Sequence, residues 1–223
     1  YQDSYEVLSE PRLMRKLALA EGVVCQLTDP ISRAVIEAAP KLKVISQVAV
    51  GYDNIDVTAA TERGIVVTNT PGVLTEATAD MTFALLLAAA RKLPAAERYL
   101  RAGKWQRWDV DLLCGGDVHG QTIGIVGLGR IGQAVARRAR GFGMRVLYTA
   151  RHEAEHVLEE ELQATRLPLD TLLAESDYVS LHVPLTDETH HMISVPQLCA
   201  MRSHAILINT ARGPVIDERA LVA

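Results

Sequence analysis

Gly127, Gly129 and Gly132 form the pattern G-x-G-x-x-G, which suits the binding of a dinucleotide phosphate. The motif follows the apolar run 122–126 and opens a segment of helical periodicity over 131–140, as such a motif requires. The first glycine permits a tight bend, the second lets the backbone approach a pyrophosphate, and the third lets helix and strand pack closely. The start of the helix adds backbone N–H groups and the positive end of its dipole. The sequence therefore predicts a dinucleotide site, in preference to an ordinary turn with incidental glycines.

The segment after the next predicted strand, 145–149, lacks the acid that an NAD site commonly has there. A carboxylate at this point accepts hydrogen bonds from the ribose hydroxyls of NAD. The sequence has Ala150, Arg151 and His152 instead. A guanidinium can grip a 2′-phosphate with two N–H groups, and Thr149 and His152 offer further donors. The pattern predicts NADP(H) as the preferred cofactor, with NAD(H) possible. The alternative is that Arg151 is a solvated loop residue beside a site that binds NAD without an acid.

Apolar runs of strand length alternate with segments of helical periodicity along the chain. The predicted strands cover 23–27, 44–49, 65–68, 122–126, 145–149, 178–183 and 205–209. The predicted helices or turns cover 32–39, 75–101 with an interruption at Pro94, 131–140, 169–174 and 195–200. Strands and helices that alternate in this way form βαβ units around a parallel sheet, so we predict the α/β class.

Composition excludes several kinds of protein. The 223 residues are 48% hydrophobic, enough for a packed core, and the net charge is −4 without a basic block, which argues against nucleic acid as a partner. The longest apolar run, 83–90, is too short to span a membrane. Three cysteines and seven histidines show no metal-ligand spacing, so we expect no metal and a reducing, cytoplasmic location. Because the chain begins with Tyr1, we expect a fragment of a longer protein.

The chain resembles the D-isomer-specific 2-hydroxyacid dehydrogenases over nearly its whole length. Five stretches in the family's order carry the resemblance: VAVGYDNIDV, NTPGVLTEATAD, GLGRIGQAVARRARGFGMRVL, DYVSLHVPLTDETHHMI and AILINTARGPVIDERAL. Within the family, GKWQRWDVDLLCG and YTAR are most similar to the glyoxylate/hydroxypyruvate reductases. That branch commonly uses NADPH, in agreement with the prediction from Arg151.

The resemblance implies two domains with the active site in the cleft between them. A flavodoxin-like substrate domain would occupy 1–74 and lack its first strand. An interdomain helix would follow over 75–100, and a Rossmann-type dinucleotide-binding domain lacking its C-terminal strands would occupy 101–223. The family usually forms homodimers through the cofactor domain. Trp105 and Trp108 could anchor a partner or line the substrate cleft, or else pack locally.

Matching positions carry over as expected site residues. Val50 and Gly51 match the loop whose N–H groups receive the substrate carboxylate. The matching cofactor positions begin with the turn Leu128, Arg130 and Ile131 with its three glycines, and Thr78 near the nicotinamide and phosphates. The others are His182, Val183, Pro184 and Thr189 beside the adenosine, Thr210 and Ala211 beside the nicotinamide, and Arg212 directly after them.

Arg212 matches the catalytic arginine of the family. One planar guanidinium can hold the carboxylate of a 2-oxo acid and polarise the neighbouring carbonyl oxygen. Negative charge develops on that oxygen as hydride arrives at C2, so the interaction strengthens in the transition state. The alternative role is that of a salt-bridging loop residue.

The family's proton donor is a histidine paired with a glutamate, and both would lie beyond Ala223 by resemblance. We therefore expect an enzyme whose 223 residues turn over little by themselves. The leading expectation is NADPH-dependent reduction of glyoxylate or hydroxypyruvate to the 2-hydroxy acid. Two alternatives stay open: another D-2-hydroxyacid dehydrogenase, such as a phosphoglycerate dehydrogenase, and a dinucleotide-sensing, corepressor-like protein without catalytic activity.

Overall fold

The computed structural model of the protein describes residues 7–222. The chain divides into two compact units, Tyr1–Leu74 and Thr75–Ala223. Each unit has a parallel sheet with connecting helices, which confirms the predicted α/β class.

The first unit contains a parallel sheet in the order β1-β2-β3. Its strands are β1 (Gly22–Cys25), β2 (Val44–Gln47) and β3 (Val66–Thr68), and its helices are α1 (Glu10–Leu17), α2 (Arg33–Glu37) and α3 (Val57–Glu62). Two helices begin at side-chain caps: the Ser32 hydroxyl accepts the Val35 N–H, and the Asp56 carboxylate accepts the Ala59 N–H at 2.7 Å. The caps fix where the chain turns into helix after each strand.

The second unit contains a parallel sheet in the order β6-β5-β4-β7-β8. Its strands are β4 (Thr122–Val126), β5 (Arg145–Thr149), β6 (Ala164–Arg166), β7 (Tyr178–Leu181) and β8 (Ile206–Asn209). The chain starts in the middle strand, moves outward to β6, and then crosses to the other side with β7. This is the strand order 3-2-1-4-5 of a Rossmann fold, which confirms the predicted cofactor-domain topology.

Helices cover both faces of the second sheet. They are α4 (Thr75–Ala90), α5 (Leu93–Arg101), α6 (Arg130–Gly141), α7 (His156–Leu162), α8 (Leu169–Glu175), α9 (Val195–Ala200) and α10 (Glu218–Val222), with a short 3-10 helix at Gly213–Val215. On one face α4 packs against α6, where Phe83 stacks on Phe142 with ring centroids 5.4 Å apart. On the other face, buried Leu172 and Leu173 of α8 pack beneath β4 and β5.

The predicted helix over 75–101 is two helices, and the break lies at Arg91 and Lys92 rather than at Pro94. Lys92 has a φ of 53° in the left-handed region, which ends regular helical geometry. Pro94 lies in the first turn of α5, where its missing N–H costs nothing.

Asp177 joins three strands at the amino edge of the second sheet. Its buried carboxylate accepts hydrogen bonds from the Thr122 N–H at 2.9 Å, from Arg202 Nη1 at 2.7 Å and from His204 Nε2 at 2.9 Å. Burial raises the pKa of Asp177, but the hydrogen bonds from its partners outweigh burial and leave the pKa below its ordinary value. The ionised carboxylate therefore stabilises the fold.

Asp177→Asn is expected to lower the free energy of unfolding by about 1–3 kcal/mol at neutral pH. A carboxyl group whose pKa falls on folding adds stability above its unfolded pKa, and loses that contribution as pH falls through the folded value. The deficit should therefore be largest at neutral pH and shrink below about pH 4. Urea unfolding across a pH series measures it, with exposed Asp187→Asn as the control. A deficit that does not change with pH would contradict this role.

None of the helices among residues 7–222 is long and apolar enough to cross a membrane. Within the same residues, no group of His, Cys, Asp or Glu side chains is arranged to hold a metal ion.

Candidate functional site

The glycine turn lies directly between β4 and α6. Gly127 follows the strand with a φ of 98°, and its N–H donates to the Thr149 carbonyl at the end of β5 at 2.8 Å. A Cβ at Gly127 would lie 2.8 Å from the carbonyl oxygen of His182. Both the dihedral angle and the close approach of the chain after β7 require glycine here.

The other two glycines have opposite surroundings. A Cβ at Gly132, in the first turn of α6, would overlap the carbonyl oxygen of Gly127, so this glycine allows the helix to pack on the turn. A Cβ at Gly129, which caps α6, would meet nothing within 4 Å. Gly129 therefore faces open space at the helix start, where the first N–H groups have no partner within the helix. That space fits the pyrophosphate of a dinucleotide.

The three residues between and beside these glycines have different surroundings. Leu128 is buried, and its carbonyl accepts a hydrogen bond from Gln133 Nε2 at 3.1 Å, which fixes the turn from within α6. Arg130 is exposed and Ile131 half-buried at the start of α6. The turn is therefore held to the protein by buried Leu128, and Arg130 places a positive charge on its solvent side.

Ala150, Arg151 and His152 follow β5 at the same edge of the sheet. Ala150 is half-buried, whereas Arg151 and His152 are exposed. The Arg151 guanidinium lies 3.8 Å from the carboxylate of Glu188, and both side chains are about three-quarters exposed. Such an exposed pair contributes little stability, so Arg151 is available to a stronger anion.

Hydrogen bonds from β5 and β6 shape this loop. The hydroxyl of buried Tyr148 accepts the Ala154 N–H at 3.1 Å and donates to Glu159. Burial raises the pKa of Tyr148, which keeps the hydroxyl protonated. On the other side, Arg166 Nη2 donates to the Ala150 carbonyl at 3.0 Å. The segment that holds Arg151 is therefore tied at both ends.

His182, Val183 and Pro184 leave the carboxyl end of β7. The His182 imidazole is hydrogen-bonded to the Ser180 hydroxyl at 2.8 Å, and burial lowers its pKa to about 4. It is therefore neutral at physiological pH and unsuited to donate a proton. Buried Thr189 closes the loop, since its hydroxyl donates to the Pro184 carbonyl at 2.6 Å.

Thr210, Ala211 and Arg212 follow β8 and are half-buried. Asn209 organises them: its Oδ1 accepts the Ala211 N–H at 2.9 Å, and its Nδ2 donates to the Arg212 carbonyl at 2.8 Å. The Arg212 guanidinium lies against the end of β8, since Nη1 donates to the Ala211 carbonyl at 2.9 Å.

A buried threonine connects this segment to α4. The Thr82 hydroxyl donates to the carbonyl of Thr78 at 2.9 Å, and it therefore accepts from the Thr210 hydroxyl at 3.0 Å. Thr78, expected near the nicotinamide, is thereby linked to the segment after β8 through Thr82.

Val50 and Gly51 lie in the first unit, in the loop that follows β2. Both are half-buried. Asn69 Nδ2 donates to the Val50 carbonyl at 2.8 Å, and Gln47 Nε2 donates to the Gly51 carbonyl at 3.3 Å. The loop is thus held from two sides by side-chain amides.

Apart from Val50 and Gly51, the expected site residues belong to the second unit and gather at one edge of its sheet. They follow the carboxyl ends of β4, β5, β7 and β8, or connect to that edge through Thr82. The chain reverses direction across the sheet between β4 and β7, and open α/β sheets bind ligands in the crevice at such a point. The geometry fits a dinucleotide laid over the glycine turn.

Comparison with known families decides the assignment. Residues 83–223 match the model of the D-isomer specific 2-hydroxyacid dehydrogenase, NAD binding domain. The chain belongs to the D-isomer-specific 2-hydroxyacid dehydrogenase family. The resemblance inferred from the sequence is thereby confirmed.

Individual relatives of the chain agree with the family match. A glyoxylate reductase of Korarchaeum cryptofilum is 57% identical over 214 residues, which are 96% of this chain and 64% of that reductase. The TT0316 protein from Thermus thermophilus is 50% identical with a TM-score of 0.89, over 96% of this chain and 67% of that one. An acyclic imino acid reductase solved with NADPH and D-Arg is 30% identical with a TM-score of 0.87, over 98% and 68% of the two chains. The chain thus spans about two thirds of its relatives' length.

Sequence reasoning missed several residues that shape the candidate site. Arg166 lies on β6, a short strand that the sequence did not predict. Asn209 precedes the predicted residues Thr210–Arg212, and a small amide at the last position of an apolar strand is the signal that could have found it. Gln47 on β2 and Asn69 after β3 bond to the loop of Val50 and Gly51, and no local pattern reports such contacts.

Proposed function

We propose that the intact protein reduces glyoxylate and hydroxypyruvate to the 2-hydroxy acid, with NADPH as the preferred hydride donor. The Korarchaeum relative named glyoxylate reductase, at 57% identity, supports glyoxylate as substrate. The observation that carries the cofactor preference is the end of β5, where Ala150 stands at the position of the ribose-binding acid and Arg151 follows it.

Charge at this edge favours a phosphorylated ribose. A carboxylate there would repel a 2′-phosphate, and Ala150 removes that repulsion. Arg151 faces only the exposed Glu188 among its described partners, at 3.8 Å, so a phosphate can replace this weak pair with charge-assisted hydrogen bonds. The related imino acid reductase solved with NADPH supports the use of this cofactor by the fold.

The proposed reaction assigns separate tasks to the chain's own residues. The nicotinamide supplies hydride when it is bound. Arg212 holds the carboxylate of the 2-oxo acid and polarises its carbonyl oxygen, where negative charge develops. The loop of Val50 and Gly51 offers backbone N–H groups to a carboxylate. Burial lowers the pKa of His182 to about 4, so we do not assign proton donation to this residue.

We further propose a cytoplasmic homodimer. Trp105 and Trp108 are 54% and 77% exposed, which argues against a role in local core packing and favours an interface. The cysteines Cys25, Cys114 and Cys199 are free thiols, which suits a reducing compartment.

Arg151→Ala is expected to raise the KM for NADPH by about ten- to hundred-fold and the KM for NADH by less than about threefold. The physical reason is that the lost guanidinium bonds exist only with the 2′-phosphate. Initial rates with glyoxylate and each cofactor measure both constants. Arg145→Ala, at the opposite end of β5, is the matched control. Equal changes for the two cofactors would contradict the proposal.

A further inference from the structure

In the loop after β2, three consecutive backbone carbonyl groups each accept a hydrogen bond. The Ala49 carbonyl accepts the Thr70 N–H at 3.0 Å, and the Val50 carbonyl accepts Asn69 Nδ2 at 2.8 Å. The Gly51 carbonyl accepts Gln47 Nε2 at 3.3 Å. Three consecutive carbonyl groups are therefore held by the β2–β3 side of the first unit.

Because the peptide bonds are trans, the hydrogen bonds to these carbonyl groups also determine where the neighbouring N–H groups point. Within one peptide plane the C=O and N–H bonds point in opposite directions. The contact at the Ala49 carbonyl therefore turns the Val50 N–H away from the sheet, and the Asn69 contact does the same for the Gly51 N–H. Within residues 7–222, neither N–H has a hydrogen-bond partner.

A buried chain of side chains orients Gln47 itself. Gln47 is 2% exposed, and its Oε1 accepts the Cys25 thiol at a Sγ–O distance of 3.0 Å. Burial, with a smaller contribution from Asp29, raises the pKa of Cys25 to about 11, so the thiol keeps its proton. With Oε1 taken, the Nε2 group is directed to the Gly51 carbonyl and to Asn54 Oδ1, the latter at 2.8 Å.

Asn54 completes the chain at the far end of the loop. Its Nδ2 donates to the carbonyls of Gln26 and Asp29 at 3.0 and 2.9 Å. The loop is therefore tied to the end of β1 as well as to β2 and β3. Satisfied buried networks of this kind specify one conformation.

We infer that Asn69 is a positioning residue that presents the Gly51 N–H group to the substrate carboxylate, and that Gln47 supports it by holding the following peptide group at the Gly51 carbonyl. Neither side chain touches the substrate: Asn69 sets the peptide plane that carries the Gly51 N–H, and Gln47 keeps the next plane of the loop in place. The inference rests on the proposed function, because it takes the carboxylate of a 2-oxo acid as the ligand of this loop. Two aligned N–H groups are the donors that suit a carboxylate.

Asn69→Asp tests the role without a change of size. It replaces the amide donor with a second oxygen that faces the Val50 carbonyl. The peptide group that links Val50 to Gly51, and with it the Gly51 N–H, therefore loses its fixed orientation. We expect the KM for glyoxylate to rise about ten- to hundred-fold while the KM for NADPH stays within about twofold. Inhibition by oxamate, which carries a similar carboxylate, should weaken by the same factor. The kcat at saturating glyoxylate should change by less than about threefold, since the loop binds substrate and transition state alike.

Gln47→Met and Ser46→Ala complete the experiment. Gln47→Met keeps the volume but removes both hydrogen-bonding groups, and it should raise the glyoxylate KM with unchanged NADPH KM. Ser46 lies beside Gln47 on β2 and bonds to Thr68, away from the loop, so Ser46→Ala should leave all constants unchanged. Should Gln47→Met fail to fold, Asn69→Asp with Asn69→Ala decides the question.

The outcomes separate this inference from the proposed function. An intact wild-type protein that does not reduce glyoxylate with either cofactor overturns the proposed function. An active wild type whose Asn69→Asp and Asn69→Ala variants keep the glyoxylate KM overturns the positioning role only. Parallel rises in the KM for glyoxylate and NADPH would also overturn it, because they indicate a general loss of structure.

Discussion

Replacement of Arg212 by lysine is expected to lower kcat/KM for glyoxylate by about 100- to 1,000-fold in the intact protein. Lysine keeps the positive charge but loses the planar fork that spans a carboxylate and the adjacent carbonyl oxygen. Charge develops on that oxygen as hydride arrives, so the loss falls on the transition state and lowers kcat as well as raising KM. Steady-state kinetics with NADPH and varied glyoxylate measures the change.

Two controls distinguish this role from a structural one. Arg219 is an exposed arginine on α10, and Arg219→Lys should leave kcat/KM within about twofold. NADPH binding to Arg212→Lys, followed by fluorescence titration, should match that of the wild type. Retention of activity within about tenfold by Arg212→Lys would mean that the fork is not used.

The parts of the fold that the sequence predicted best are those with buried, apolar strands. Strands β4 and β5 lie at the predicted bounds, because every residue of β4 after Thr122 is buried and the central residues of β5 are buried as well. By contrast, β6 has three residues, of which Thr165 and Arg166 are exposed at the edge of the sheet. Such a strand has neither an apolar run nor an alternating pattern, so its existence depends on pairing with β5.

Helix α7 escaped prediction for a related reason. Four of its seven residues, His156 and three glutamates, are charged or polar, and Leu162 is its buried residue. Because a seven-residue helix with one buried apolar residue has no repeating apolar pattern, the sequence shows no helical periodicity there.

The candidate site divides in the same way. Positions set by backbone geometry, such as the glycine turn, follow from local sequence because a tight bend and a close backbone approach both demand glycine at fixed spacing. Positions set by side-chain contacts between strands do not, since Gln47 on β2 bonds to Cys25 on β1, and Arg166 on β6 bonds to Ala150 after β5. Their roles depend on register, which pairs residues far apart in the chain.

Alanine at Gly132 and at Gly129 is expected to separate the structural task of the glycine turn from its ligand-binding task. The added Cβ at Gly132 would overlap the Gly127 carbonyl, a backbone atom that cannot move aside. We expect Gly132→Ala to lower the free energy of unfolding by about 2–4 kcal/mol and to abolish tight NADPH binding. Urea unfolding and fluorescence titration measure the two effects.

Gly129→Ala should have the opposite profile. Its φ of −72° suits any residue, and the new Cβ would meet no protein atom within 4 Å, so the free energy of unfolding should change by less than about 0.5 kcal/mol. The methyl group would instead occupy the space through which a pyrophosphate approaches the backbone, and NADPH affinity should fall about ten- to hundred-fold. The pyrophosphate is common to NADPH and NADH, and the change leaves Arg151 and its 2′-phosphate contact untouched. NADH affinity should therefore fall by the same factor. Wild-type binding of both cofactors by Gly129→Ala would show that the dinucleotide does not lie over this turn.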